Sequence, residues 1–206
     1  MVISICLACL SAASIAESAL GLELPTNAMH ALERRFPGYA ISQVSSGELF
    51  ESESEAFAVM LYKAPENQAA WPTFIVAVVG PSKANGLAVI TSTCEDTFNP
   101  KDGLSLTIKN RSLFIGSTNS GMDSSSSTEL QYKYDGKGLA LVAEESRSFY
   151  HGDDPHLQDV SDVRRSTNYV TGRVIEYGSK GIAESKIERI RPGYFGCDSG
   201  AAYEAK

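Results

Sequence analysis

The segment Leu104-Ser105-Leu106-Thr107-Ile108-Lys109, then Asn110-Arg111, then Ser112-Leu113-Phe114-Ile115 decides the fold class. Leu104, Leu106 and Ile108 point to one side of an extended chain while Ser105, Thr107 and Lys109 point to the other, the period of two that marks a half-buried strand. Lys109-Asn110-Arg111 supplies residues that tolerate positive φ, so the chain reverses there into a hairpin. Downstream, Leu130, Tyr132 and Tyr134 alternate with Glu129, Gln131 and Lys133, and Asp135-Gly136-Lys137-Gly138 and Gly178-Ser179-Lys180-Gly181 provide further tight turns. Upstream, Phe57-Ala58-Val59-Met60-Leu61-Tyr62 and Thr73-Phe74-Ile75-Val76-Ala77-Val78-Val79 are apolar on both faces, which marks central strands.

Working outward, the spacing predicts strands at 39–45, 56–63, 73–79, 86–92, 104–109, 112–117, 128–134, 138–147, 163–177 and 182–190. One helix precedes them. Thr26 or Asn27 caps it, Met29, Leu32 and Phe36 recur at helical spacing, and Pro37-Gly38 ends it. The expected architecture is mainly β: an antiparallel meander, barrel-like or partial-propeller, with one short N-terminal helix. Two polar stretches, Ser117–Ser127 and Tyr150–Asp162, are expected to be long surface loops.

With 206 residues, 43% of them hydrophobic, the chain is long enough to bury a core as one domain. Lys plus Arg number 18 against 25 Asp plus Glu, a net charge of −7 that argues against a phosphate-backbone ligand. Residues 1–16 carry no charge, run apolar, and close with Ser14 and Ala16 at the spacing a signal peptidase reads, so they are expected to be a signal peptide, leaving 17–206 as a single β-rich domain. The apolar run falls short of the ~20 residues a spanning helix needs, so no membrane span is expected. Cys6 and Cys9 fall in this leader, with lipid attachment at Cys9 as the alternative fate. Cys94 and Cys197 then remain as a pair in an oxidising compartment, periplasmic or extracellular in a Gram-negative bacterium, and are expected to form a disulfide.

The catalytic inventory is poor. The chain has no G-x-S-x-G elbow, no H-E-x-x-H helix and no G-x-x-x-x-G-K-[ST] loop, and no lysine follows a serine by three residues. His30, His151 and His156 are the only histidines. His151, Asp153, Asp154, His156, Asp159 and Asp162 crowd one segment, but their spacing matches no EF-hand or zinc pattern and Asp153-Asp154-Pro155 reads as a solvated turn, so neither metal nor cofactor is expected. Glu48, Glu51, Glu53 and Glu55 form the densest acidic segment. Spacing by two would place the last three on one side of a strand, where mutual repulsion favours exposure and a negative field at a hairpin edge, which keeps that edge soluble and unpaired or steers a basic partner.

The stretches Leu104–Ile115, Leu130–Val142 and Ser166-Thr167-Asn168-Tyr169-Val170-Thr171-Gly172-Arg173-Val174-Ile175 resemble a group of secreted bacterial β-rich proteins, FG-GAP-like relatives with an "NYLTG[KR]" strand, over roughly residues 86 to 190. Some of that group act as periplasmic immunity proteins against cell-wall-degrading toxins. The resemblance implies a periplasmic inhibitor or immunity protein that binds another protein, a basic secreted hydrolase or toxin. Glu51, Glu53, Glu55, Tyr150 and His151 are the candidate partner-binding residues. The alternative is a small-ligand or glycan-binding module built around Trp71 or the tyrosines, and behind it a hydrolase with spatially paired carboxylates.

Overall fold

The computed structural model describes residues 24–51, 54–65, 72–82, 86–95, 103–150, 162–178, 181–187 and 195–196. One helix, α1 (Thr26–Arg35), is followed by β1 (Ala40–Glu48), β2 (Glu55–Lys63), β3 (Thr73–Ser82) and β4 (Gly86–Ser92). Then come β5 (Gly103–Lys109), β6 (Ser112–Ser120), β7 (Ser124–Tyr134), β8 (Leu139–Tyr150), β9 (Asp162–Asn168), β10 (Arg173–Gly178) and β11 (Gly181–Lys186). Every neighbour pairing is antiparallel and sequential: β1 to β4 form one sheet and β5 to β11 another. This is the expected mainly β meander, laid out as two open sheets rather than a closed barrel.

The alternation of β2 and β3 explains the layering. Ala56, Ala58 and Met60 of β2, with Val76 and Val78 of β3, face Leu106, Ile108, Leu113, Ile115 and Leu139 of the second sheet. Phe57, Val59 and Leu61, with Ile75, Ala77 and Val79, face the other way, onto Ala28 and Leu32 of α1. Strands with two apolar faces therefore form the middle of three layers: helix, four-stranded sheet, seven-stranded sheet. The two sheets come close at Gly47 of β1, where a Cβ would stand 2.8 Å from Cγ2 of Ile108. Beside it, the Ser45 hydroxyl accepts the Ile108 N–H at 2.9 Å.

Residues 195–196 close this core. Phe195 is 6% exposed, meets Tyr132 edge-on with 5.3 Å between ring centroids, and donates its N–H to the Leu139 carbonyl at 2.7 Å. Its own carbonyl accepts the Thr91 hydroxyl at 2.9 Å, so one residue ties β4 to β8.

Four expectations are corrected. The residue before α1 is Pro25, whose carbonyl accepts the N–H groups of Ala28 and Met29 at 2.9 and 3.1 Å; neither Thr26 nor Asn27 takes the capping position. The buried face of the helix is Ala28, Ala31 and Leu32, with Met29 only half-buried. The expected loop 117–127 is instead the end of β6, a three-residue turn and the start of β7. The Ser124–Ser127 run is strand because β6 and β8 hydrogen-bond it from both sides, which outweighs the weak β preference of serine. Finally, the expected single strand 163–177 is two strands. The Asn168 carbonyl accepts the Gly172 N–H at 2.8 Å, its side chain accepts the Thr171 N–H at 3.0 Å, and Gly172 adopts φ +72°. This asparagine-initiated turn reverses a chain whose Tyr169 and Val170 read locally as β formers.

Candidate functional site

The seven-stranded sheet outgrows its partner. Its β5 to β8 side lies over the four-stranded sheet, whereas β9 is largely exposed and β11 wholly so. Directly opposed residues share a face, so the register sets Arg147, Arg164, Tyr177 and Ile182 in one row across β8 to β11. Beside it run Glu145, Ser166, Ile175 and Glu184.

Two guanidinium groups opposite each other would repel, and acids on the same face resolve this. Arg147 holds Asp162 through two hydrogen bonds of 2.9 and 2.8 Å, Arg164 reaches Glu145 at 2.8 Å, and Arg173 holds Glu184 at 2.9 and 3.0 Å. The hydrogen bonds from Arg147 and Arg173 hold the carboxyls of Asp162 and Glu184 below their ordinary range. Arg164 also lies over the Tyr177 ring, 5.8 Å from its centroid. The result is a face of charge pairs interrupted by exposed apolar groups: Phe149 (42% exposed), Tyr177 (37%) and Ile182 (72%). These three, with Met122 at the tip of the β6–β7 turn, stand at one end of the sheet, where Tyr150 ends β8 and Asp162 begins β9.

The acidic segment sits elsewhere. Glu48 ends β1 and Glu55 begins β2 directly opposite it, while Glu51 lies in the connection between them and Glu53 lies outside the described residues. Glu51 and Glu55 thus do not share one strand face, because the chain turns between β1 and β2. Glu48 meets Arg111 of the β5–β6 turn at 3.4 Å, and both are more than half exposed. Asn110 and Arg111 adopt φ +52° and +54°, the tight reversal their sequence suggests. A shallow depression of about 550 Å³ lies here, lined by Glu48, Ile108, Lys109, Asn110 and Arg111.

Glu48 and Glu55 are thus opposed surface carboxylates, one neutralised by an arginine, and not a buried acid and base. The β5–β6 and β6–β7 turns lie at opposite ends of the sheet. The acidic segment is therefore separated from Tyr150 by the length of the 11-residue β7, roughly 35 Å at the rise of a strand. The structure places Glu51 and Glu55 together and keeps them apart from Tyr150.

His151, Cys197 and Trp71 lie outside the described residues, as do His156, Asp153, Asp154 and Asp159. Asp162 of that acidic segment is committed to Arg147. His30 is exposed on α1 beside Glu33, at 3.4 Å. Sequence reading missed Phe149, Tyr177 and Ile182; the available signal was large apolar residues placed among charges on the polar side of alternating strands. Comparison with protein families, curated proteins and solved structures finds no match.

Proposed function

We propose that the chain is a periplasmic or secreted protein that binds and inhibits another protein, the partner class being a basic cell-wall hydrolase or toxin. The observation that carries this reading is the open end of the seven-stranded sheet, where Phe149, Tyr177 and Ile182 are exposed on a hydrogen-bonded face. Exposed aromatic and aliphatic groups on a preorganised surface bind a protein at small entropic cost. The net charge of −7 and the acidic β1–β2 connection supply the complementary field for a basic partner. Placement at opposite ends divides the labour: the acidic end steers encounter, and the Phe149 end holds the complex. The leader-like residues 1–16 and the resemblance to secreted immunity proteins support the compartment. The Cys94–Cys197 disulfide belongs to the same proposal. Cys94 is not a free thiol, and the Thr91–Phe195 hydrogen bond brings residue 195 beside the strand that ends just before Cys94.

Titration of the chain against a panel of basic peptidoglycan hydrolases, with wall lysis as the readout, tests the reading. Stoichiometric loss of lysis for at least one enzyme, relieved by a Phe149→Ala/Tyr177→Ala double variant, is expected. No inhibition across the panel, together with no hydrolase recovered on the chain from co-cultured lysate, overturns it. A glycan-binding module is the second reading, favoured by the two rings on one arginine-bearing face. It predicts saturable binding to soluble wall fragments without inhibition of any enzyme.

A further inference from the structure

Among the described residues, nothing pairs with the outer edge of β11, and all six of its residues are exposed. Which backbone groups that edge offers follows from the hairpin. Gly178 pairs with Gly181, and Ile187 donates its N–H inward to the Gly172 carbonyl at 2.8 Å. In an antiparallel ladder the inward-bonded residues alternate with outward-facing ones. Gly181, Ala183 and Ser185 therefore bond to β10, while Ile182, Glu184 and Lys186 turn their N–H and C=O groups outward. An edge of this kind is a template for another strand.

We propose that β11 pairs antiparallel with β11 of a second copy of this chain, about a two-fold axis through Ser185. In that register Glu184 stands opposite the second copy's Lys186, and the symmetry repeats the pair. Both members present outward backbone groups, so each pair closes two N–H to C=O hydrogen bonds, four in all. Each Glu184 carboxylate then sits between Arg173 of its own chain and an ammonium of the other. Sliding the axis to Glu184 sets carboxylate against carboxylate, and sliding it to Lys186 sets ammonium against ammonium. Charge thus selects one register and penalises its neighbours. The two seven-stranded sheets become one continuous sheet, and the Phe149–Tyr177 faces of both copies lie on the same side of it.

Sedimentation equilibrium of the full chain over a wide concentration range tests the proposal. Wild-type protein is expected to show concentration-dependent association to twice 22.1 kDa. K186E and E184K each create two like-charge pairs and are expected to weaken association at least tenfold. An equimolar mixture of the two restores both opposite-charge pairs, and is expected to form a heterodimer of near wild-type affinity. Because E184K also releases Arg173, the neutral double variant E184Q/K186Q serves as a second probe, expected between wild type and K186E. A wild-type chain that stays monomeric up to its solubility overturns the proposal. So does dimerisation indifferent to K186E and to E184Q/K186Q, or a mixture of folded single variants that stays monomeric.

Discussion

Tyr39 shows how one side chain fastens two elements. Its hydroxyl donates to Glu95 at 2.6 Å, and its ring meets Phe36 edge-on, so the end of the helix is held against the end of β4. Burial, with the neighbouring carboxylate, pushes the phenol up from 10.0 to about 12. The folded state thus favours the neutral phenol: its contribution is full below pH 10 and is lost as pH rises through about 12. Alkaline titration of tyrosine absorbance should show one late phenol that is absent in Tyr39→Phe, and that variant should lose less stability than wild type between pH 10 and 12. Asp162 behaves in the opposite sense. Arg147 depresses its carboxyl, so its contribution is present above the ordinary carboxylate value and is lost as pH falls through the depressed one. Arg147→Met should return the Asp162 titration, followed by carboxyl NMR, to the ordinary range. Neither group was legible as special in the sequence, because their partners stand 56 and 15 residues away.

At the scale of elements, a close contact between the two sheets depends on a residue without a side chain. A Gly47→Val substitution drives new atoms into Ile108 and should destabilise by about 1 to 3 kcal/mol, the usual cost of overpacking a dense core. Chemical denaturation measures it, and an unchanged midpoint would contradict the assigned contact. Strands with a clear period of two were readable directly: β5 and the β5–β6 turn fall within a residue of the sequence reading, and the double-faced apolar runs did become the middle layer. What escaped reading had local signals overruled by pairing. Ser124–Ser127 resembles a loop until strands flank it on both sides, and Tyr169-Val170 resembles a strand until Asn168 folds the backbone back on itself. The candidate surface escaped for the same reason. Phe149, Tyr177 and Ile182 lie on three different strands, and only the register makes them neighbours.

Across the whole molecule, Phe195 joins the layers. Its ring fills the core between the sheets, and its two backbone groups bond to β4 and β8. Phe195→Ala should cost about 3 to 5 kcal/mol, read from equilibrium unfolding, by leaving a cavity beside Tyr132. The same architecture separates charge, at the β1–β2 end, from the exposed apolar groups at the other end of the strands. On the proposed function, these two ends serve one binding event in different ways. Surface plasmon resonance against an inhibited basic hydrolase, at low and physiological salt, tests it most directly. E51Q/E53Q/E55Q should slow association and flatten its salt dependence with dissociation unchanged, whereas Phe149→Ala/Tyr177→Ala should speed dissociation with association nearly unchanged. An association rate indifferent to both salt and the acidic substitutions, with dissociation indifferent to loss of the two rings, would contradict the account.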